Sequence, residues 1–386
     1  MDSVFPQQDL PIIRQPQDQT KTEKNKTDEL HTIATGGTID SHWEPTKDTV
    51  ISNTQSIIPQ YLRNVRLPHH DVSSETIILK DSREIDLATQ KIIGEQVAES
   101  AHLRILVTTG TYLMPDIAGA IFHHPACQQF GRMDKMVVVT GGTIPLKGFS
   151  ISDSGFNLGM SAAILQDHPD IPVALVMSGM CLDVSKGVKK DLTSAVFVNS
   201  GYLDEYDVLG YKNFFLIPAG GSIDFELDHL DGLRPARDSA IPNYLRTCIR
   251  MQRPFYAINP FIKDSRDLTD ENLKLIADII NDNHAQHILI TTGLYKIQKI
   301  QQYLRNTLTG DNLSKRIILT GSRIPLGSGE ISDAPFNLGY ALGKMATLPP
   351  GVHVALNGVI MSDAENVIDL LYTPEEKAIL RAKNNL

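Results

Sequence analysis

Short, continuous apolar runs recur along the chain: Thr76-Ile-Ile-Leu79, Ile105-Leu-Val107, Met136-Val-Val-Val139 and Val173-Ala-Leu-Val176, then Ile288-Leu-Ile290 and Ile317-Ile-Leu319. Runs this short, with no polar residue at every second place, suit strands covered on both faces, as in a parallel sheet. Between them apolar residues return at helical spacing. Leu273, Ile276 and Ile280 fall at i, i+3 and i+7, and Ile93 with Val97 at i and i+4, so each helix is expected to lay one face on a sheet. Alternating strand and helix predict an α/β fold.

The same order of blocks is then written a second time, which decides the domain organisation. Ile33-Ala-Thr-Gly-Gly-Thr-Ile-Asp40 pairs with Ile217-Pro-Ala-Gly-Gly-Ser-Ile-Asp224 at an offset of 184, and Lys80-Asp-Ser-Arg83 with Lys263-Asp-Ser-Arg266 at 183. Leu106-Val-Thr-Thr-Gly-Thr-Tyr112 pairs with Leu289-Ile-Thr-Thr-Gly-Leu-Tyr295, again at 183. Thr140-Gly-Gly-Thr-Ile-Pro-Leu146 and Thr320-Gly-Ser-Arg-Ile-Pro-Leu326 follow at 180, as do the segments from Ile151 and Ile331, identical at 7 of 9 positions. The chain therefore reads as copy 1 over about 29–205 and copy 2 over 211–386, joined near Asp204–Tyr211. Residues 1–28, polar and nearly free of aromatics, bury too little to offset chain entropy and read as a flexible tail.

At 386 residues, 41% hydrophobic and 21% charged, the chain has room for two ordinary domains. A net charge of −9 and a pI near 5.7 argue against a nucleic-acid or anionic-membrane partner and leave a small molecule. Cys127, Cys181 and Cys248 are odd in number and far apart, so they give neither a disulfide framework nor a metal-ligand spacing. They are expected as buried thiols in a reducing compartment. With no basic-then-apolar leader and no run of about 18 apolar residues, a cytoplasmic protein without cofactor or metal is expected. Neither copy has Gly-x-Gly-x-x-Gly after a strand, which excludes the usual dinucleotide site.

In an open parallel sheet ligands sit at the carboxyl ends of the strands, where the repeated blocks lie. Gly36 and Gly37 permit a tight turn and close backbone approach, and Thr38 follows with a hydroxyl. Thr108-Thr109-Gly110-Thr111 adds a second hydroxyl cluster and more exposed amides. Two such loops on one crevice suit nucleophilic attack on a carbonyl with an oxyanion pocket. Each block alone also has a plainer reading: Gly-Gly-Thr as a tight turn, and Ser152 or Asp153 as the cap of a helix carrying Phe156, with Asn157 and Asn337 holding loops.

Taken in order, these blocks resemble the N-terminal domain of the L-asparaginase/glutaminase family, most closely its short single-domain members. The resemblance covers nearly the whole of each copy. It implies two tandem flavodoxin-like parallel-sheet sandwich domains forming an intrachain pseudodimer, and an amidohydrolase that converts the side-chain amide of L-asparagine, or a related amide, to a carboxylate and ammonia. By this likeness Thr38 is the nucleophile, Thr111 the second catalytic hydroxyl, and Ser82 the group on the substrate's α-carboxylate. Arg83 adds a charged contact, while Gly37 and Gly110 contribute amides. Family domains work as dimers, so copy 2 is expected to act as a built-in partner, and further homo-oligomerisation is left open.

Several positions depart from the family. Tyr112 stands where larger members have Asp, and a phenol of ordinary pKa near 10 is ionised only about one part in a thousand at neutral pH. Gln166 aligns with a lysine that serves the second threonine. The segment Ser41–Asn53, a mobile loop in the family, lacks the tyrosine that activates the first threonine, leaving His42 or Glu44; Asp40, Glu84 or Asp116 would bind a substrate ammonium. In copy 2 the counterparts are Ser222, Ser265 and Tyr295, but Leu294 replaces Thr111, so copy 2 is expected to be inactive. The alternative is a catalytically impaired amino-acid-binding or regulatory protein of the same fold.

Overall fold

Each half builds a six-stranded sheet because its buried apolar runs are short enough to be strands and are separated by helices long enough to cross over. The computed structural model describes residues 30–67, 72–125, 135–148, 150–168, 171–191, 196–199, 208–228, 232–327, 332–363 and 365–378. The expected tail, Cys127 and residues 204–207 of the expected junction lie outside the described residues.

Copy 1 runs β1 (Leu30–Gly36), α1 (Ile58–Val65), β2 (Ser73–Lys80), α2 (Leu87–Glu99), β3 (Arg104–Thr108), α3 (Met114–His123), β4 (Met136–Thr140), α4 (Ser154–Asp167), β5 (Val173–Met177) and β6 (Met180–Asp183). Copy 2 repeats the series as β7 (Phe214–Pro218), α5 (Ile241–Thr247), β8 (Phe255–Ala257), α6 (Asp270–Asn281), β9 (His287–Thr291), α7 (Ile297–Thr307), β10 (Arg316–Thr320), α8 (Ala334–Lys344), β11 (Gly351–Leu356) and β12 (Val359–Ile360). The strand orders are β2-β1-β3-β4-β5-β6 and β8-β7-β9-β10-β11-β12, parallel except for the last strand of each. Both are the flavodoxin-like order, as expected.

Ile105–Val107, Met136–Val139 and Val173–Val176 are wholly buried, as continuous apolar runs should be. Thr76–Leu79 is not: β2 is an edge strand and half exposed, because one edge of every open sheet lacks a neighbour. Ile93, Val97, Leu273, Ile276 and Ile280 face inward from α2 and α6. Helices α2 and α3 cover one face of the first sheet, and α6 and α7 the matching face of the second. The other faces carry α1 with α4 and α5 with α8, and these four helices share one core that runs through both copies. The pseudodimer is therefore six layers deep with its own interface as the middle.

At that middle, α4 lies on α8 so closely that a Cβ on Gly159 would overlap the Phe336 carbonyl, and one on Gly339 the Phe156 carbonyl. The exchange is reciprocal, as an interface between like copies requires. Tyr61 of copy 1 donates to Ser332 O of copy 2 at 3.2 Å, and Tyr244 of copy 2 donates to Ser152 O of copy 1 at 2.8 Å. At the rim Lys344 pairs with Asp167 at 2.6 Å and Arg66 forks onto Glu376.

A second repeated device escaped the sequence reading. Lys135 and Lys315, each just before a central strand, are 3% exposed. Their ammonium groups cap the carbonyl ends of α2 and α6: Lys135 donates to Ser100 O at 2.5 Å, and Lys315 to Ile280 O at 2.6 Å and to Asn283 O. Lys315→Met keeps the stem and strands those carbonyls, so urea unfolding should show a loss of about 2 kcal/mol.

Candidate active site

The connections from β1 and from β3 leave in opposite directions, which opens a crevice beyond their carboxyl ends. Ala34 stands opposite Thr108, and Thr108 opposite Thr140, so three strands end level at its floor. Gly36 and Gly37 turn the chain out of β1 at φ 91° and 83°, in a region that side chains resist. Gly37 is forced to be glycine a second time, because a Cβ there would overlap the backbone of Gly110. A Cβ on Gly110 would in turn lie 2.6 Å from Ser82 Oγ. Three loops far apart in sequence are thus packed in direct succession.

Ser82 is held by its neighbours. Asp81 accepts from Arg83 N at 2.9 Å, closing the turn, and Ser82 Oγ accepts from Leu113 N at 3.3 Å. Ser82 is 1% exposed, whereas Thr38 and Thr111 are half-buried at the crevice. Thr108 and Thr109 do not join them: both are fully buried and their hydroxyls find no partner. The expected hydroxyl cluster shrinks to Thr111, which lies beyond the buried end of the strand and is partly exposed. Arg83 forks back onto Asp81 at 3.0 and 2.6 Å with two-thirds of its side chain in solvent. It is the partner of its own turn.

Tyr112 is 50% exposed, and Lys190 stands over its ring at 5.9 Å from the centroid. Lys190 lies in strand Val188–Asp191, which pairs with Val196–Asn199, and burial lowers its pKa below that of an ordinary lysine. Gln166 is elsewhere. It sits between the copies, accepting from Tyr340 Oη at 2.8 Å and donating to Gly358 O at 3.0 Å. A lysine that the sequence pattern does not single out, Lys190, stands beside the Thr111–Tyr112 turn instead. Its only signal was the pair Lys189 and Lys190, in a strand too short to stand out.

Ser41–Asn53 forms a hairpin, Ser41–Glu44 paired with Thr49–Ser52. His42 Nδ1 meets Asn53 Oδ1 at 2.8 Å, and Glu44 accepts from Thr46 Oγ1 at 2.6 Å, so both side chains are engaged within it. Asp40 is fully buried and accepts from Ile57 N at 2.7 Å, while Glu84 and Asp116 are exposed. Asp153 does not cap its own helix. It accepts from Thr143 N and Ile144 N at 2.8 and 2.9 Å and so holds the loop after β4, while Asn157 ties Gly141 O to Ser178 N. Ser152 accepts from Ser154 N at 3.0 Å in a short turn ahead of α4 and so does not cap it either. Copy 2 contacts reach copy 1 at Ser152, through Tyr244, and at Ser178, through Gln252 N. The built-in partner therefore buttresses the loops of copy 1.

With this geometry in view, the family profile described as Asparaginase, N-terminal matches residues 29–201 and again 213–367. The chain belongs to the asparaginase family. Among solved structures, L-asparaginase I from Vibrio cholerae shares 28% identity over 39% of this chain and 46% of that one, with a TM-score of 0.34. The chain thus covers less than half of that relative. A probable cytoplasmic L-asparaginase from Campylobacter jejuni is 13% identical, covering 70% of this chain and 85% of that one at TM-score 0.35. The thermostable L-asparaginase from Thermococcus kodakarensis is 15% identical, with 84% and 88% covered at 0.33. No curated protein matches. Among the described residues no helix is long and apolar enough to cross a membrane, and no three His, Cys, Asp or Glu side chains group as metal ligands.

The second half of this asparaginase-family chain repeats the cradle and alters its chemistry. Gly221 presses on Gly293, and Gly293 on Ser265, as in copy 1. Leu294, however, is 3% exposed and packs into the outer core with Val367 and Leu371. Ser222 Oγ donates to Ser322 O, and Tyr295 lies under Arg266 at 5.1 Å. Arg266 forks onto Asp264, as Arg83 does onto Asp81. Behind this cradle Asp224 is buried, and burial raises its pKa from 3.8 to about 6 although Ser239 donates to it at 2.7 Å. The folded state therefore favours the protonated acid. That stabilisation is complete below about pH 4 and is lost as pH rises through about 6. Between pH 4 and 7, the melting temperature of Asp224→Asn should rise relative to wild type.

Proposed function

We propose that the protein is an asparaginase-type amidohydrolase whose working site is the crevice of copy 1. The observation that supports this reading is the direct packing of Gly37, Gly110 and Ser82, which brings together the three loops that carry Thr38, Thr111 and Ser82. Thr38 Oγ1 attacks the amide carbon and forms an ester, the nitrogen leaves as ammonia, and water then hydrolyses the ester. Amides near Gly37 and Gly110 receive the developing oxyanion. Ser82 donates to the α-carboxylate. Lys190 stands over the ring of Tyr112, next to Thr111, and brings a cationic group to that side of the crevice.

Ammonia release from L-asparagine and L-glutamine tests the assignment. Wild type should release ammonia from at least one of them, Ser222→Ala should match it, and Lys190→Met should lower kcat by about 10². No release by wild type from either amide would overturn the reading. A Lys190→Met enzyme at full rate would remove Lys190 from it.

A further inference from the structure

We propose that the copy 2 cradle is a second binding site for an amino-acid carboxylate, one that holds its ligand without hydrolysing it. This rests on the reading of Ser82 given above. The internal comparison is what carries it, because the two cradles share one backbone. Gly37 has φ 83° and ψ −176°, and Gly221 has 82° and −176°; Asp81 has −60° and 137°, and Asp264 has −60° and 136°. Copy 2 has lost the groups that would do chemistry. Leu294 has no hydroxyl and is turned into the core, and the Ser222 hydroxyl is engaged with Ser322.

Ser265 is where the two cradles part. It is 0% exposed, lies against Gly293, and its Oγ has no partner, whereas Ser82 Oγ accepts from Leu113 N. A buried hydroxyl without a partner is costly, and a bound acceptor would relieve that cost. The charge around it has changed in the same sense. Lys296 stands where copy 1 has Leu113, and its ammonium group is anchored on the Ser265 turn by Arg266 O at 2.6 Å and Leu268 O at 3.0 Å. Since Arg266 is already forked onto Asp264, Lys296 is the cation that distinguishes this cradle from its twin. A carboxylate accepting from Ser265 would sit within its field.

L-Aspartate, which has no amide to cleave, is the probe. Titration calorimetry on the full chain should give two equivalents bound by wild type, one by Ser82→Ala, one by Ser265→Ala and none by the double variant. Lys296→Leu, which restores the copy 1 residue on the surface of the turn, should weaken one of the two sites about tenfold. Circular dichroism and melting temperature establish that each variant is folded. If Ser265→Ala does not fold, the Lys296→Leu titration decides alone. A single equivalent in wild type, or two in Ser265→Ala, overturns the inference, as does a Lys296→Leu titration identical to wild type. Ammonia release with one equivalent bound sinks this site and spares the proposed function. Two equivalents without ammonia release from either amide do the reverse.

Discussion

Thr38→Val should lower ammonia release from the responsive amide by at least about 10³-fold and leave the melting temperature within experimental scatter. Valine matches threonine in shape, and the turn it sits on is set by Gly36 and Gly37, whose positive φ does not depend on the side chain that follows. What the substitution removes is the hydroxyl at the start of the turn Thr38–Asp40. Copy 2 offers no substitute, because Ser222 donates to Ser322 O and Leu294 is buried. A variant that retained a tenth of the wild-type rate would place the nucleophile elsewhere.

Gly159→Ala should destabilise the whole chain by about 3 kcal/mol, near the top of the range for overpacking, because the added carbon meets backbone rather than a side chain that can swing away. Gly339→Ala should cost a similar amount. The double variant should cost less than the sum, since the first methyl already forces α4 and α8 apart and makes room for the second. Urea unfolding of the two single variants and the double one measures this. Strict additivity would mean that the helices respond locally and that the seam is softer than its geometry implies. Both copies should also lose stability together, as they share one core across the seam.

Much of this architecture was legible because the chain states it twice. Offsets of 184, 183 and 180 between blocks fixed the tandem copies, and short apolar runs fixed the central strands. The seam was not legible for a physical reason. A helix that rests on one sheet shows one apolar face, but α4 is buried on every side from Ser154 to Leu165, with the sheet beneath and α8 above. Such a helix has no period to read. Gly159 appeared only as the end of a conserved-looking motif between the copies, and its close crossing exists only once the helices are stacked. The candidate site divided in the same way. Gly37, Ser82 and Gly110 were found because backbone constraints leave repeated letters. Lys190 leaves no spacing signal because it comes to Tyr112 from a separate pair of strands, and Arg83 is taken up by Asp81, a partner only two residues away.

The reciprocal Tyr61 and Tyr244 contacts describe a dimer whose two subunits happen to be covalently joined. In a dimer of identical chains any substitution appears in both sites at once, and the pair comes apart when diluted. Here the seam forms at a local concentration set by the tether, so dilution does not part it. The joined halves are also free to change one at a time. Leu294 opposite Thr111, and Lys296 opposite Leu113, are differences that a symmetric assembly has no means to record.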